Sequence, residues 1–177
     1  YITLLPEFEA AEIRIFGKMY ENGYIYQGKK PVYWSWSSES TLAEAEVEYH
    51  DVESPSIYIS FPVKDGKGKL SEENTYFLIW TTTPWTIPSN QGIAVNPKFD
   101  YSVVEVGDRR YVVGTDRLSA VAEILGWDSY KTVQHLKGTD MEYMVAKHPY
   151  IEGRDSLLME AVYVTDDDGT GLVHTAS

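Results

Sequence analysis

Apolar and polar positions alternate along this chain in two distinct periods. Pro6, Phe8, Ala11, Ile15 and Met19 recur at helical spacing, with proline in the first turn and Gly23 as the stop, which predicts a first helix. Tyr24 to Tyr33 is short and aromatic and is broken by Gly28 and Pro31, which predicts two brief strands of a connecting ribbon. Ile57, Ile59, Phe61 and Val63 then take every second position, the period of a half-buried strand, and residues 65–68 supply the turn after it. A further strand is expected from Tyr76 to Trp80. Tyr101 to Val106 and Arg110 to Val113 flank Gly107-Asp108 and predict a hairpin. The helical period returns from Asp116 to Leu125, with Gly126 ending it. Three short strands close the pattern, at Glu142 to Ala146, Leu157 to Val164 and Gly171 to His174. Many short strands and few helices predict a mainly β fold with peripheral helices (α+β) around a β-barrel-like core.

Composition narrows the classes. The chain has 177 residues, 43% hydrophobic and 24% charged, enough for one well-cored domain and an attached element. No apolar run nears the roughly 20 residues of a membrane helix, and the first residues lack the layout of a signal peptide, so a soluble, cytoplasmic protein without a membrane partner is expected. Starting at Tyr1 with an amphipathic helix under way, the chain is expected to be a piece of a longer one. Without cysteine, and with its four histidines far apart, it offers no metal-ligand spacing, and no metal is expected. A formal charge of -12 argues against a broad nucleic-acid footprint, so any RNA contact should be local.

Candidate chemistry gathers in two places. From Trp80 to Asn90 the chain packs threonines, two indoles and an amide where a strand gives way to a loop rigidified by Pro84 and Pro88. Hydroxyls that donate and accept can hold an ester carbonyl, a ribose hydroxyl and a water, with indoles as apolar walls. The bland reading is a strand end, since threonine favours strands and proline ends them. Asp166-Asp167-Asp168-Gly169 invites a calcium reading, but Ser177 falls where an EF-hand needs its bidentate glutamate. A solvated turn whose glycines permit bending or close approach fits better. His174 follows Leu172 and Val173 on the last strand, with no serine or cysteine nearby to make a triad.

Three separated segments resemble a known family. Pro31 to Tyr49 (with Trp36 where proline is expected), Trp80 to Asn90 and Gly169 to Ala176 resemble, in order and spacing, the editing domain inserted into isoleucyl-, valyl- and leucyl-tRNA synthetases, most closely the bacterial-type isoleucine branch. The resemblance implies hydrolytic editing of valine misattached to tRNA(Ile). Thr82 and Thr83 would hold the ester and position water as the catalytic pair. Thr81, Trp85, Thr86 and Asn90 would line the substrate pocket, and His174 would help recognise the amino acid. Residues 1–33 would be a helix and ribbon from the catalytic half, and residues 34–177 the editing domain. The family pattern continues past the histidine to an aspartate that binds the substrate's ammonium group, so this domain is expected to be truncated at its C-terminal end. The partners implied are the acceptor end of tRNA(Ile) carrying valine and the remainder of the synthetase. No cofactor is implied here, since ATP and magnesium serve the full-length enzyme, and no aminoacylation is expected of this piece. The alternatives are an editing domain of the valine or leucine enzymes and a non-catalytic single-strand RNA-binding β-barrel, which should carry interleaved basic and aromatic residues.

Overall fold

The computed structural model describes residues 2–176, which form two compact units, Tyr1–Val52 and Glu53–Ser177. In the first, α1 (Pro6–Glu21) begins at a proline whose missing N–H is one the first turn would leave unpaired anyway. It ends where Gly23, at φ +76°, lets Tyr24 N–H reach back to Met19 C=O (3.0 Å). The ribbon is displaced from its expected place. Residues 24–32 form no strand, and the hairpin instead pairs β1 (Tyr33–Ser35) with β2 (Ser40–Leu42). Pro31 lacks the N–H a ladder needs, so pairing starts only beyond it.

The second unit holds β3 (Ile57–Asp65), β4 (Thr75–Thr81), β5 (Asn90–Val95), β6 (Asp100–Val106), β7 (Arg109–Gly114), α2 (Leu118–Ile124), β8 (Lys131–Lys137), β9 (Val145–Lys147), β10 (Asp155–Glu160) and β11 (Leu172–Ala176). Among the described residues nine strands make one mixed sheet, in the order β11-β5-β10-β9-β3-β4-β7-β6-β8. The hairpin and second helix lie where the pattern put them, Gly107 and Gly126 both at positive φ. β9 and β10 are shifted from their expected bounds, and β5 and β8 are strands the pattern did not indicate.

Residues on β4, β6 and β7 take opposite sides in turn. Phe77, Ile79, Val103 and Val112 join Phe61, Ile93, Val95 and Leu158 in one core, while Leu78, Val104 and Val113 pack with Val121 of α2 and with Tyr58, Tyr111 and Trp127. Each fully buried large side chain contributes about 1.5–3 kcal/mol. Both faces of these central strands are therefore covered.

Two contacts roll the sheet towards a barrel. Gly114 N–H, at the end of β7, donates to Thr170 C=O (2.7 Å). Tyr101 of β6, fully buried, accepts Asn96 N–H and donates its hydroxyl to Gly171 C=O, both at 2.9 Å. Burial pushes the Tyr101 hydroxyl up to about 12 and keeps it a donor. The approach requires glycine: Gly171 has φ +77°, and a Cβ there would lie 3.2 Å from Gly114 Cα. Thus the β11 edge is carried back to β6 and β7.

Candidate active site

Strand β4 ends at Thr81, and the chain turns through a short 3-10 segment, Pro84–Ser89, before entering β5 at Asn90. Proline at its first position suits the turn, and the Thr81 hydroxyl holds its entrance by accepting Thr83 N–H (3.0 Å) while contacting Thr83 Oγ1 (3.2 Å). Thr83 C=O then accepts both Thr86 N–H (3.1 Å) and the Thr86 hydroxyl (2.7 Å). On β11, His174 pairs in register with Ile93 of β5. Its ring meets Thr86 Oγ1 through Nε2 (2.8 Å) and Asn90 Nδ2 through Nδ1 (3.1 Å).

Counting hydrogens fixes the tautomer. The single Thr86 hydroxyl proton goes to Thr83 C=O, so Nε2 must carry the proton donated to Thr86. Asn90 is fully buried, and its amide N–H groups go to Gly92 C=O (3.0 Å) and to His174 Nδ1, so Nδ1 must be bare. The ring is neutral and engaged at both nitrogens, which fits a wall of the site rather than a general base. Burial first, and the nearby His148 second, hold its pKa below the ordinary 6.5. A second proton would place an Nδ1–H against the Asn90 amide donor.

This arrangement sets a pH window. Because the folded-state pKa is the lower one, the unfolded chain takes up the proton first. The stability contributed by the neutral ring is complete above pH 6.5 and shrinks as pH falls below it. Thermal unfolding followed from about pH 7 to about pH 5 should show a larger drop for the wild type than for His174→Ala. Parallel curves would rule out the neutral-ring network.

Thr81, Thr83, Thr86, Asn90 and His174 therefore meet in one hydrogen-bonded system. Thr82 is exposed beside them, and its C=O accepts the Ser54 hydroxyl (3.4 Å). Trp85 is 66% exposed, at the rim rather than inside the network. Asp166, Asp167 and Gly169 present their carbonyls to Arg117 (3.4, 2.9 and 3.2 Å), which holds the turn leading into β11. Among the described residues no cluster of three or more histidines and carboxylates is placed to hold a metal ion, and no helix is long and apolar enough to cross a membrane. Two side chains that the sequence reading passed over stand behind the turn. His148 Nε2–H donates to Ile87 C=O (2.8 Å), and Arg154 donates to Pro88 C=O. Separations of 61 and 66 residues leave no local signal of either contact.

Comparison with known proteins agrees with this architecture. The chain is 69% identical over 176 residues to the isoleucine-tRNA ligase of Lactobacillus helveticus, which covers 99% of this chain but only 19% of that relative. It thus spans about a fifth of the length of the curated relatives it matches. Among solved structures, GlLeuRS-CP1 aligns with a TM-score of 0.57 at 15% identity, covering 68% of this chain and 52% of that one. The P. knowlesi cytosolic leucyl-tRNA synthetase editing domain aligns with a TM-score of 0.53 at 15% identity, covering 69% and 58%. These two likenesses establish the editing-domain fold. The family model for tRNA synthetases class I (I, L, M and V) matches residues 1–167, and the chain belongs to that family.

Proposed function

We propose that the second unit is a hydrolytic editing site that removes valine from misacylated tRNA(Ile). The observation that carries this reading is the continuous system of Thr83, Thr86, His174 and Asn90, which joins the threonine-rich turn to the last strand. An aminoacyl ester is already activated, so its hydrolysis needs a placed water and a stabilised oxyanion more than a strong nucleophile. The hydroxyls of Thr82 and Thr83 suit that task, and the neutral His174 supplies a fixed wall. A second, hydrolytic selection is needed because one methylene is worth only about 1–3 kcal/mol in an apolar pocket, for which isoleucine against valine is the standard illustration.

The partner in this reading is the acceptor end of the transfer RNA rather than its body. The chain carries a formal charge of -12, and Lys64, Lys67, Lys69, Lys137 and Arg110 are each paired with an acid of the same chain, Asp155, Asp65, Asp140, Asp100 and Glu105. A non-catalytic RNA-binding barrel would need those charges free along a groove.

Deacylation of valyl- and isoleucyl-tRNA(Ile) by the synthetase that carries this chain tests the reading. The wild type should release valine and spare isoleucine. With His174→Ala the wall retreats, and isoleucine release should rise about tenfold relative to valine, the low end of what one methylene is worth. A wild type that releases neither amino acid would refute the editing function. An unchanged ratio in the variant would remove His174 from the selection.

A further inference from the structure

The loop behind the threonine-rich turn has no part in the chemistry above, yet it grips that turn at two consecutive carbonyls. It joins β9 to β10 and closes on itself, His148 N–H donating to Arg154 C=O (2.8 Å). The His148 ring, buried at 5% exposure, works in two directions. Its Nδ1 accepts Ile151 N–H (3.0 Å) and Tyr150 N–H (3.4 Å), which leaves the proton on Nε2, and Nε2–H donates to Ile87 C=O (2.8 Å). The Arg154 guanidinium donates to Pro88 C=O next in the chain. Ile87 C=O also accepts Asn90 N–H at the end of the 3-10 segment, so the imidazole is a second donor to the same oxygen and ties it to the loop. Ile87 immediately follows Thr86, whose hydroxyl is the joint between Thr83 C=O and His174.

We propose that His148 is a positioning residue for ester hydrolysis: by holding Ile87 C=O it fixes Thr86, and through Thr86 sets the Thr83 backbone and the His174 ring. The inference rests on the editing reading above. Packing alone does not account for the residue. Its edge-on contacts with Phe61 (6.1 Å between ring centres) and Tyr150 (4.7 Å) could be made by phenylalanine. Phenylalanine would leave the Ile87 carbonyl with Asn90 N–H alone, no longer tied to the loop, and would leave the two loop N–H groups without their partner. The turn would then be free to drift, and a misplacement of about 1 Å is enough to slow a reaction about a hundredfold.

Steady-state deacylation of valyl-tRNA(Ile), with kcat and KM separated, tests this in the synthetase carrying His148→Phe, His148→Gln or His148→Asn. The wild-type assay decides the editing reading, and the variants decide this one. With phenylalanine, kcat should fall about ten- to a hundredfold while KM changes little. Glutamine places an amide N–H where Nε2–H stood and should restore kcat. Asparagine keeps an acceptor near the Nδ1 position but does not reach Ile87, and should remain at least about tenfold slower than glutamine. This last comparison stands even if the phenylalanine variant fails to fold. A phenylalanine enzyme at the wild-type rate, or equal rates for glutamine and asparagine, would overturn the proposal.

Discussion

Replacing Thr82 and Thr83 together by alanine is expected to slow valyl-tRNA(Ile) deacylation about 10²–10³-fold while leaving the melting temperature nearly unchanged. Both side chains are exposed, so little apolar burial is lost. The interactions that shape the turn belong to other groups: Thr83 N–H bonds to the Thr81 hydroxyl, and Thr83 C=O accepts from Thr86, and both main-chain groups survive the change. What disappears is the Thr83 Oγ1 contact to Thr81 Oγ1 (3.2 Å) and, in the proposed mechanism, the pair of hydroxyls that hold the water and the ester. Removing one preorganised donor typically costs about 3–4 kcal/mol in the transition state, and the two threonines are expected to act as a unit rather than additively. Single-turnover rates measured beside thermal melts separate the two effects. A double variant within about threefold of wild type would place the water elsewhere in the pocket.

The second large effect is on stability. Tyr101→Phe is expected to destabilise the fold by about 2–4 kcal/mol, because one missing hydroxyl strands two buried main-chain groups. Asn96 N–H loses its acceptor and Gly171 C=O its donor, and neither gains a substitute inside the barrel. Alkali should produce the same loss in the wild type. The folded-state pKa, about 12, lies above the ordinary 10.0, so the stabilisation is complete below pH 10.0 and is lost as pH rises towards 12. Urea unfolding of both proteins across that range is the measurement. A phenylalanine variant as stable as wild type would mean that the sheet closes without this hydroxyl.

The sequence disclosed elements whose determinants are local and concealed those whose determinants are distant. The β6–β7 hairpin announced itself through Gly107, and α2 through Gly126, because a positive φ selects glycine wherever it occurs. The threonine-rich turn was legible from its own composition. β5 was not, because it has β10 on one side and β11 on the other and is buried from Gly92 to Val95, which abolishes alternation, while Asn90 and Gln91 give it a polar start. β8 was hidden for the opposite reason. It is an edge strand that begins and ends with lysine, as suits an edge that must not recruit another chain. Within the site, Thr83, Asn90 and His174 were named through resemblance, but the tautomer that Asn90 imposes depends on who donates to whom, which only geometry reveals. His148 and Arg154 were invisible for the same reason.

The joint between Thr86 and His174 spans 88 residues of chain, and that between Asn90 and His174 spans 84. Contacts so distant in sequence form late in folding, since the intervening chain must be ordered before they repay its entropy. A partly folded molecule with β3, β4, β6 and β7 already assembled would carry every threonine of the turn and still lack the His174 wall on which the proposed selection of valine depends. The proposed hydrolytic site is thus withheld until β11 docks against β5. During refolding, selective ester cleavage should lag behind the return of sheet structure and act as a clock for the closing of the barrel.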